Sequence, residues 1–242
     1  MPKTNTLAPS TTNRSLGAAA LRPLQAHTRI GKEYPAEPDE NRDMDGTDTH
    51  TETEVHEHRR RLLDGIARAV SAKGYGDTTI ADIVREASVS RRTFYEHFST
   101  KAECLLALYE VASRNALKVL RDSIDPSHDW HTQIESALTA YFGCMAENPV
   151  LMRTLFVEIL GLGPEGLETR RKVNRDIADF ILQVVNGQGG REGDQALSPD
   201  MAMAIVGGIN ELILQSIEQD RVAQLTELVA PGSRLVRAVT EG

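Results

Sequence analysis

The run from Thr79 to Lys101, Thr-Ile-Ala-Asp-Ile-Val-Arg-Glu-Ala-Ser-Val-Ser-Arg-Arg-Thr-Phe-Tyr-Glu-His-Phe-Ser-Thr-Lys, constrains this chain more than any other feature. It reads as two short helices joined by a tight turn. Thr79 is a capping residue type, and Ile80, Ile83, Val84 and Ala87 fall on one helical face. Ala87 is small where a crossing helix needs room, Ser88 occupies the turn, and Val89 anchors it. In the second helix, from about Ser90 to Phe98, Phe94 and Phe98 stand four apart and pin it to a core. Ser90, Arg91, Arg92 and Thr93 are polar and fit to face outward. This is the pattern of a helix-turn-helix, whose second helix enters a major groove of DNA.

Side-chain chemistry assigns the expected contacts. Arg91 or Arg92 can fork onto a guanine edge, a pairing worth about 1–3 kcal/mol of discrimination. Thr93 can touch a base methyl or a phosphate, and Tyr95 carries a hydroxyl on a rigid ring suited to a phosphate. Thr79 and Lys101 stand at the starts of helices, where unpaired N–H groups favour phosphate. His97 serves either the DNA backbone or packing. Arg59, Arg60 and Arg61 either add long-range attraction or form an ordinary solvated helix end.

Charge agrees with a local role. The chain has 242 residues and a formal net charge of −8, so no overall basic excess points to nucleic acid. Residues 55–103, however, hold nine Lys/Arg against seven Asp/Glu, and the segments on either side are net acidic. An acidic protein that approaches DNA needs such a local basic face. Cys104 and Cys144 sit apart in apolar helical patterns, so reduced, buried thiols are expected, with no disulfide, metal site or cofactor. No stretch reads as a membrane span or secretory leader, which implies a cytoplasmic protein.

Proline and apolar spacing divide the chain into three. Residues 1–54, rich in Pro, Thr and acids, are expected to be a disordered extension; residues 1–32 hold basic residues and no acids, as a transit peptide does, and Met44 is a second candidate start. Residues 55–103 form the helix-turn-helix domain, its first helix carrying Leu62, Leu63, Ile66 and Val70 and ending at Gly74. A long helix starts at Ser99 or Thr100 and runs towards Leu120, carrying the chain into residues 104–242, which continue as helices over about 129–147, 149–161, 165–186, 199–219 and 221–240, the last broken or kinked at Pro231-Gly232. No window alternates as a strand does, so the fold class is all-α.

The residues Thr79, Ala87, Val89, Ser90, Thr93, Tyr95, His97, Phe98, Lys101 and Cys104-Leu105 follow the order of the pattern of the TetR (tetracycline-repressor) family of bacterial regulators, which this run resembles. One departure is Ser88, where the family has a turn glycine; a left-handed backbone there would strain a serine. Another is that Thr79-Ile80-Ala81 starts its helix directly. The resemblance implies an N-terminal three-helix DNA-binding domain followed by a helical ligand-binding and dimerisation bundle. It also implies a homodimer on a palindromic operator, released by a largely apolar small molecule.

In the bundle, residues 199–217 are apolar almost all round, and such a helix must be covered on more than one side. By the resemblance, residues 199–240 pair with their two-fold mates, with Ile205, Ile209, Leu212, Ile213, Leu228 and Leu235 expected at the interface. Gly207-Gly208 would admit a closely packed helix. Tyr141, Met145, Met152, Phe156 and Phe180 are candidate pocket residues, with core packing as the competing role. Two other function classes compete with this reading, a helical interaction adaptor and a cofactor-free enzyme. Gly161-Leu-Gly163-Pro-Glu-Gly166 has dinucleotide-motif spacing but no strand before it. His56-Glu-His58 lacks the spacing of a zinc protease motif.

Overall fold

The computed structural model describes residues 48–187 and 196–241. The expected extension lies outside them up to residue 47. All regular structure among the described residues is helical. The helices are α1 (Asp48–Asp77), α2 (Ile80–Ala87), α3 (Arg91–His97), α4 (Lys101–Asp122), α5 (Trp130–Ala146), α6 (Pro149–Arg153), α7 (Gly163–Gly187), α8 (Pro199–Glu218) and α9 (Val229–Thr240). A π-helical turn, Thr154–Glu158, and a last turn, Ile159–Gly161, prolong α6, and a 3-10 segment, Val222–Leu228, leads into α9.

The starts of these helices are written in side chains. Thr79, Ser90, Thr100, Asp129, Asn148 and Ser198 each accept a backbone N–H of the first turn, satisfying donors that helix geometry leaves without partners. Pro149 and Pro199 sit in first turns, where the missing N–H costs nothing. Pro231 does the same in α9, because that helix begins only at Val229. The expected break is therefore a helix start, and the segment before it winds as 3-10. Helix α1 begins seven residues ahead of the boundary drawn at 55, and its kink at Gly74 (φ 80°) replaces the expected end. The boundary at 103/104 falls inside α4, so one continuous rod joins the two halves.

Helices α1–α3 close around Leu62, Ile66, Val70, Ile83, Phe94 and Phe98, with Cys104 and Leu105 of α4 completing this small core. The approach of α1 to α2 depends on a missing side chain. A Cβ on Gly65 would stand 2.7 Å from the Ile83 carbonyl oxygen and 3.0 Å from Ala87 Cβ. Helices α4–α9 form the larger bundle around Phe142, Ile159, Ile205, Ile213, Ile217 and Leu225. Between the halves, Asn148 donates its amide to Ser71 Oγ of α1 at 2.8 Å while its oxygen caps α6. Contrary to the expectation of no such span, α8 is long and apolar enough by length and composition to cross a membrane. Its isoleucines are instead buried within the bundle.

Candidate nucleic-acid interface and effector cavity

Helix α3 is held by its two phenylalanines. Phe94 and Phe98 are buried, with ring centroids 5.9 Å apart. Its start is set by Ser90, whose Oγ accepts the Thr93 N–H at 2.9 Å and lies 2.8 Å from Thr93 Oγ1. This fixation turns Arg91, Arg92 and Tyr95 to solvent. The Arg92 side chain is 89% exposed, with Nε 3.0 Å from Glu96, and Tyr95 is 51% exposed, its ring edge-on to Phe94. An exposed ion pair of this kind is worth little and yields readily to a phosphate or base.

Helix α2 is fixed by a carboxylate that sequence reasoning passed over. Asp82 Oδ2 accepts the Thr79 backbone N–H at 2.9 Å and the Thr79 hydroxyl at 2.6 Å, closing a capping box. Lys73 lies 2.6 Å away and Arg85 3.0 Å. The Lys73 ammonium, then the Thr79 donors, hold the Asp82 carboxyl far below the usual carboxylate range. The signal was present as Thr-x-x-Asp, the spacing of a capping box with Asp in the Glu position. The turn that follows puts Ser88 in the left-handed region at φ 52°, ψ 46°. The strain expected of a serine there is thus real, and Arg61 supports the turn by donating to the Ser88 carbonyl oxygen at 2.5 Å.

Several cations expected at the surface are engaged within the fold. Lys101 turns its ammonium inward, donating to the carbonyl oxygens of Tyr75 and Thr78 at 2.8 Å each and lying 4.1 Å from the Tyr75 ring centroid. Its side chain locks the α1–α2 corner, and burial lowers its pKa. Arg59 lies over the Phe98 ring, and Arg60 pairs with Glu57 and Asp64. With Arg61 on the turn, the basic run braces the domain. His97 is half-buried, edge-on to His58 at 6.4 Å. Desolvation, then His58 and Arg59, lower its pKa.

In the bundle, an apolar cavity of about 90 Å³ lies among α4, α5, α7 and α8, with Val236 of α9. Tyr141 and Phe180 line it, together with Trp130, Ile134, Ile177 and Ile181. Met145 and Met152 do not: both are buried core residues away from its wall. Phe156 packs on the core from the π-helical turn after α6, likewise outside the cavity wall. Sequence alone could not separate these, since a cavity wall and a core contact use the same side chains. Cys104 and Cys144 are free thiols, pushed by burial up to about 12 and about 11.

The interface residues expected on α8 need correction. Ile205, Ile209 and Ile213 are 1%, 7% and 0% exposed within a single protomer, and the first two line the cavity, so none of them is available to a mate. The outer face of α8 is instead Met201, Ala204, Gly207, Glu211 and the half-buried Leu212. Leu228 and Leu235 are half-buried. The glycine pair splits its roles: a Cβ on Gly208 would meet Leu235 at 2.6 Å, so α9 packs there, while a Cβ on Gly207 would meet nothing.

A guanidinium-bearing helix set outward on a three-helix head, joined by one rod to a cavity-bearing bundle, defines a helix-turn-helix regulator of transcription. Residues 62–108 match the family model of bacterial regulatory proteins, tetR family. The fatty acid metabolism regulator protein of Bacillus subtilis is 21% identical over 187 residues, 75% of this chain and 93% of that relative. The solved fatty acid degradation regulator FadR of Bacillus halodurans superposes with a TM-score of 0.63 at 18% identity, covering 74% of this chain and 94% of the other. The FadR of Bacillus subtilis, solved in complex with stearoyl-CoA, gives 0.59 at 17%, covering 73% and 96%. The chain carries a DNA-binding segment of the tetR family type and is a ligand-responsive DNA-binding regulator. Members of that family bind operator DNA, typically as dimers.

Proposed function

We propose that the protein is a cytoplasmic, homodimeric repressor that grips a two-fold symmetric operator through α3 and is released by a largely apolar small molecule. The observation that carries this reading is the outward set of α3, where Arg91, Arg92 and Tyr95 stand open beside buried Phe94 and Phe98. In this reading Arg91 and Arg92 read guanine edges. Thr79, Ser90, Thr93, Tyr95 and His97 border the phosphates, and Lys101 contributes the N–H groups at the head of α4 rather than its ammonium. Residues 55–103 act as the reading head and 104–242 as the regulatory bundle. Pairing across the outer faces of α8 and α9, through Leu212, Leu228 and Leu235, would bring two α3 helices to successive major grooves, about 34–36 Å apart.

The effector is an apolar molecule held between α4, α5, α7 and α8. Likeness of fold to a regulator solved with stearoyl-CoA supports a ligand with an acyl chain. The resting cavity of about 90 Å³ is smaller than the roughly 150 Å³ that takes up benzene. A longer ligand must therefore part the helices around it. By binding the parted bundle more tightly than the resting one, it draws the protein away from the DNA-gripping shape. A dimer that leaves its operator on binding a ligand represses by occupancy alone.

The test is fluorescence anisotropy with the DNA upstream of the protein's own gene, across a salt series. The expected result is selective binding that weakens steeply with salt and is lost in the Arg91→Ala/Arg92→Ala double variant. Selective binding by the double variant at wild-type strength would refute the role given to α3. A reporter gene behind the same DNA distinguishes a repressor from an activator.

A further inference from the structure

Three residues on one face of α1, Arg61, Gly65 and Arg68, stand four and three positions apart and meet the end of α2. Gly65 lets α2 close to contact, since a Cβ there would lie 2.7 Å from the Ile83 carbonyl oxygen. One turn to either side, a half-buried arginine reaches across. Arg61 donates to the Ser88 carbonyl oxygen at 2.5 Å. Arg68 donates to the Glu86 carbonyl oxygen, and its Nε lies 3.6 Å from the Glu86 carboxylate.

Carbonyl groups at a helix end have no intrahelical partners. Two of those at the end of α2 are met by the turn itself: Val84 accepts the Val89 N–H at 3.1 Å, and Arg85 accepts the Ser88 N–H at 3.2 Å. This closure needs a left-handed residue and is usually made by glycine. Here the residue is Ser88, at φ 52°, ψ 46°, a backbone shape that a Cβ disfavours. The two arginines take carbonyls that the turn leaves over, one two residues before Ser88 and one on Ser88 itself. Cations at this end of α2 also suit its dipole. Helix α3 is capped by Ser90, two residues on, so the shape of this turn sets where α3 points.

We propose that Arg61 and Arg68 are positioning residues for sequence reading: they hold the Ser88 turn in its left-handed shape so that α3 lies at the angle the major groove requires. This rests on the reading of α3 as the DNA-reading helix and adds the device that aims it. The competing role for a guanidinium near α3 is a phosphate contact, and the two roles leave different traces. Loss of a phosphate contact weakens all DNA alike and lowers the salt slope by about one. Loss of a positioning residue weakens the specific complex alone.

The probe is the duplex that the wild-type protein enriches from a pool of random sequence, set beside an unrelated duplex of equal length. Anisotropy across a salt series is recorded for the full-length protein and for Arg61→Met, which keeps the aliphatic stem and removes the donor. The temperature is one at which circular dichroism shows each protein fully folded. Arg61→Met is expected to lose roughly ten-fold in affinity for the enriched duplex, with the unrelated duplex and the salt slope left at wild-type values. Arg68→Met should act in the same direction. Adding Ser88→Gly to Arg61→Met should restore most of the loss, since glycine holds a left-handed turn unaided; packing lost elsewhere would not be repaired there. Equal weakening on both duplexes, no weakening on either, or no rescue by Ser88→Gly overturns the assignment and leaves the α3 reading standing. If no duplex is enriched, or Arg91→Ala/Arg92→Ala still binds the enriched one at wild-type strength, the α3 reading itself fails, and this assignment with it.

Discussion

Replacing Gly65 with alanine should destabilise the protein, although the same change at Gly143 in α5 should stabilise it. A new Cβ at residue 65 would lie 2.7 Å from the Ile83 carbonyl oxygen, with Ala87 Cβ and N at 3.0 Å. Close C···O contacts ordinarily lie at about 3.3 Å or more, so α1 and α2 must part by roughly half an ångström. The neighbours are backbone and a methyl group, which cannot rotate away, and such overpacking costs about 1–3 kcal/mol. Alanine returns about 1 kcal/mol of helix propensity. Gly143 in the interior of α5 is the matched control, since a Cβ there meets nothing within 4 Å and only the propensity gain remains. The difference between the two variants therefore isolates the clash, at about 1–3 kcal/mol. Urea unfolding at one fixed protomer concentration measures it. Gly65→Ala should also weaken operator binding, because α2 carries the turn that aims α3. Equal stabilisation by both substitutions would refute the close crossing of α1 and α2.

Two further outcomes are expected. The Asp82 carboxyl has a folded-state pKa below its unfolded value; its ties therefore stabilise the fold above the ordinary carboxylate range and are lost as pH falls below about 4. The gap in urea midpoint between wild type and Asp82→Asn should accordingly be widest near neutrality and shrink towards pH 3; a gap that does not change with pH would count against the role given to this carboxylate. Gly207 is exposed on the outer face of α8, where a Cβ would meet nothing within the protomer; Gly207→Arg should leave the helical content intact, yet shift the protein to monomer in size-exclusion chromatography and abolish operator binding. A dimer of normal size would mean that the outer face of α8 is not the interface.

Local chemistry made much of this fold readable from the chain. Thr79, Ser90 and Asn148 announce helix starts through their own side chains, and the four-residue spacing of Phe94 and Phe98 already says which side of α3 is inward. What sequence could not supply is orientation within uniformly apolar or uniformly charged stretches. Helix α8 is apolar on nearly every side, so Ile205, Ile209 and Ile213 look as suited to an interface as Met201 or Leu212; only the packed bundle assigns them inward. Lys101 stands at a helix start, but the carbonyl oxygens of Tyr75 and Thr78 that draw its ammonium inward lie 23 or more residues away. Met145 and Tyr141 are one helical turn apart on α5, and just one of them borders the cavity.

Asn148 carries a last consequence. Its side chain is a single rigid plane with the oxygen committed to the first turn of α6 and the nitrogen to Ser71 of α1. The start of α6 and the middle of α1 are therefore geared like two wheels on one tooth. If the bundle shifts α6 by more than a hydrogen bond can stretch, either the helix start frays or the tether to the reading head lets go. Each hydrogen bond is worth about 1 kcal/mol, enough to bias the two heads yet small enough for a bound molecule to overcome.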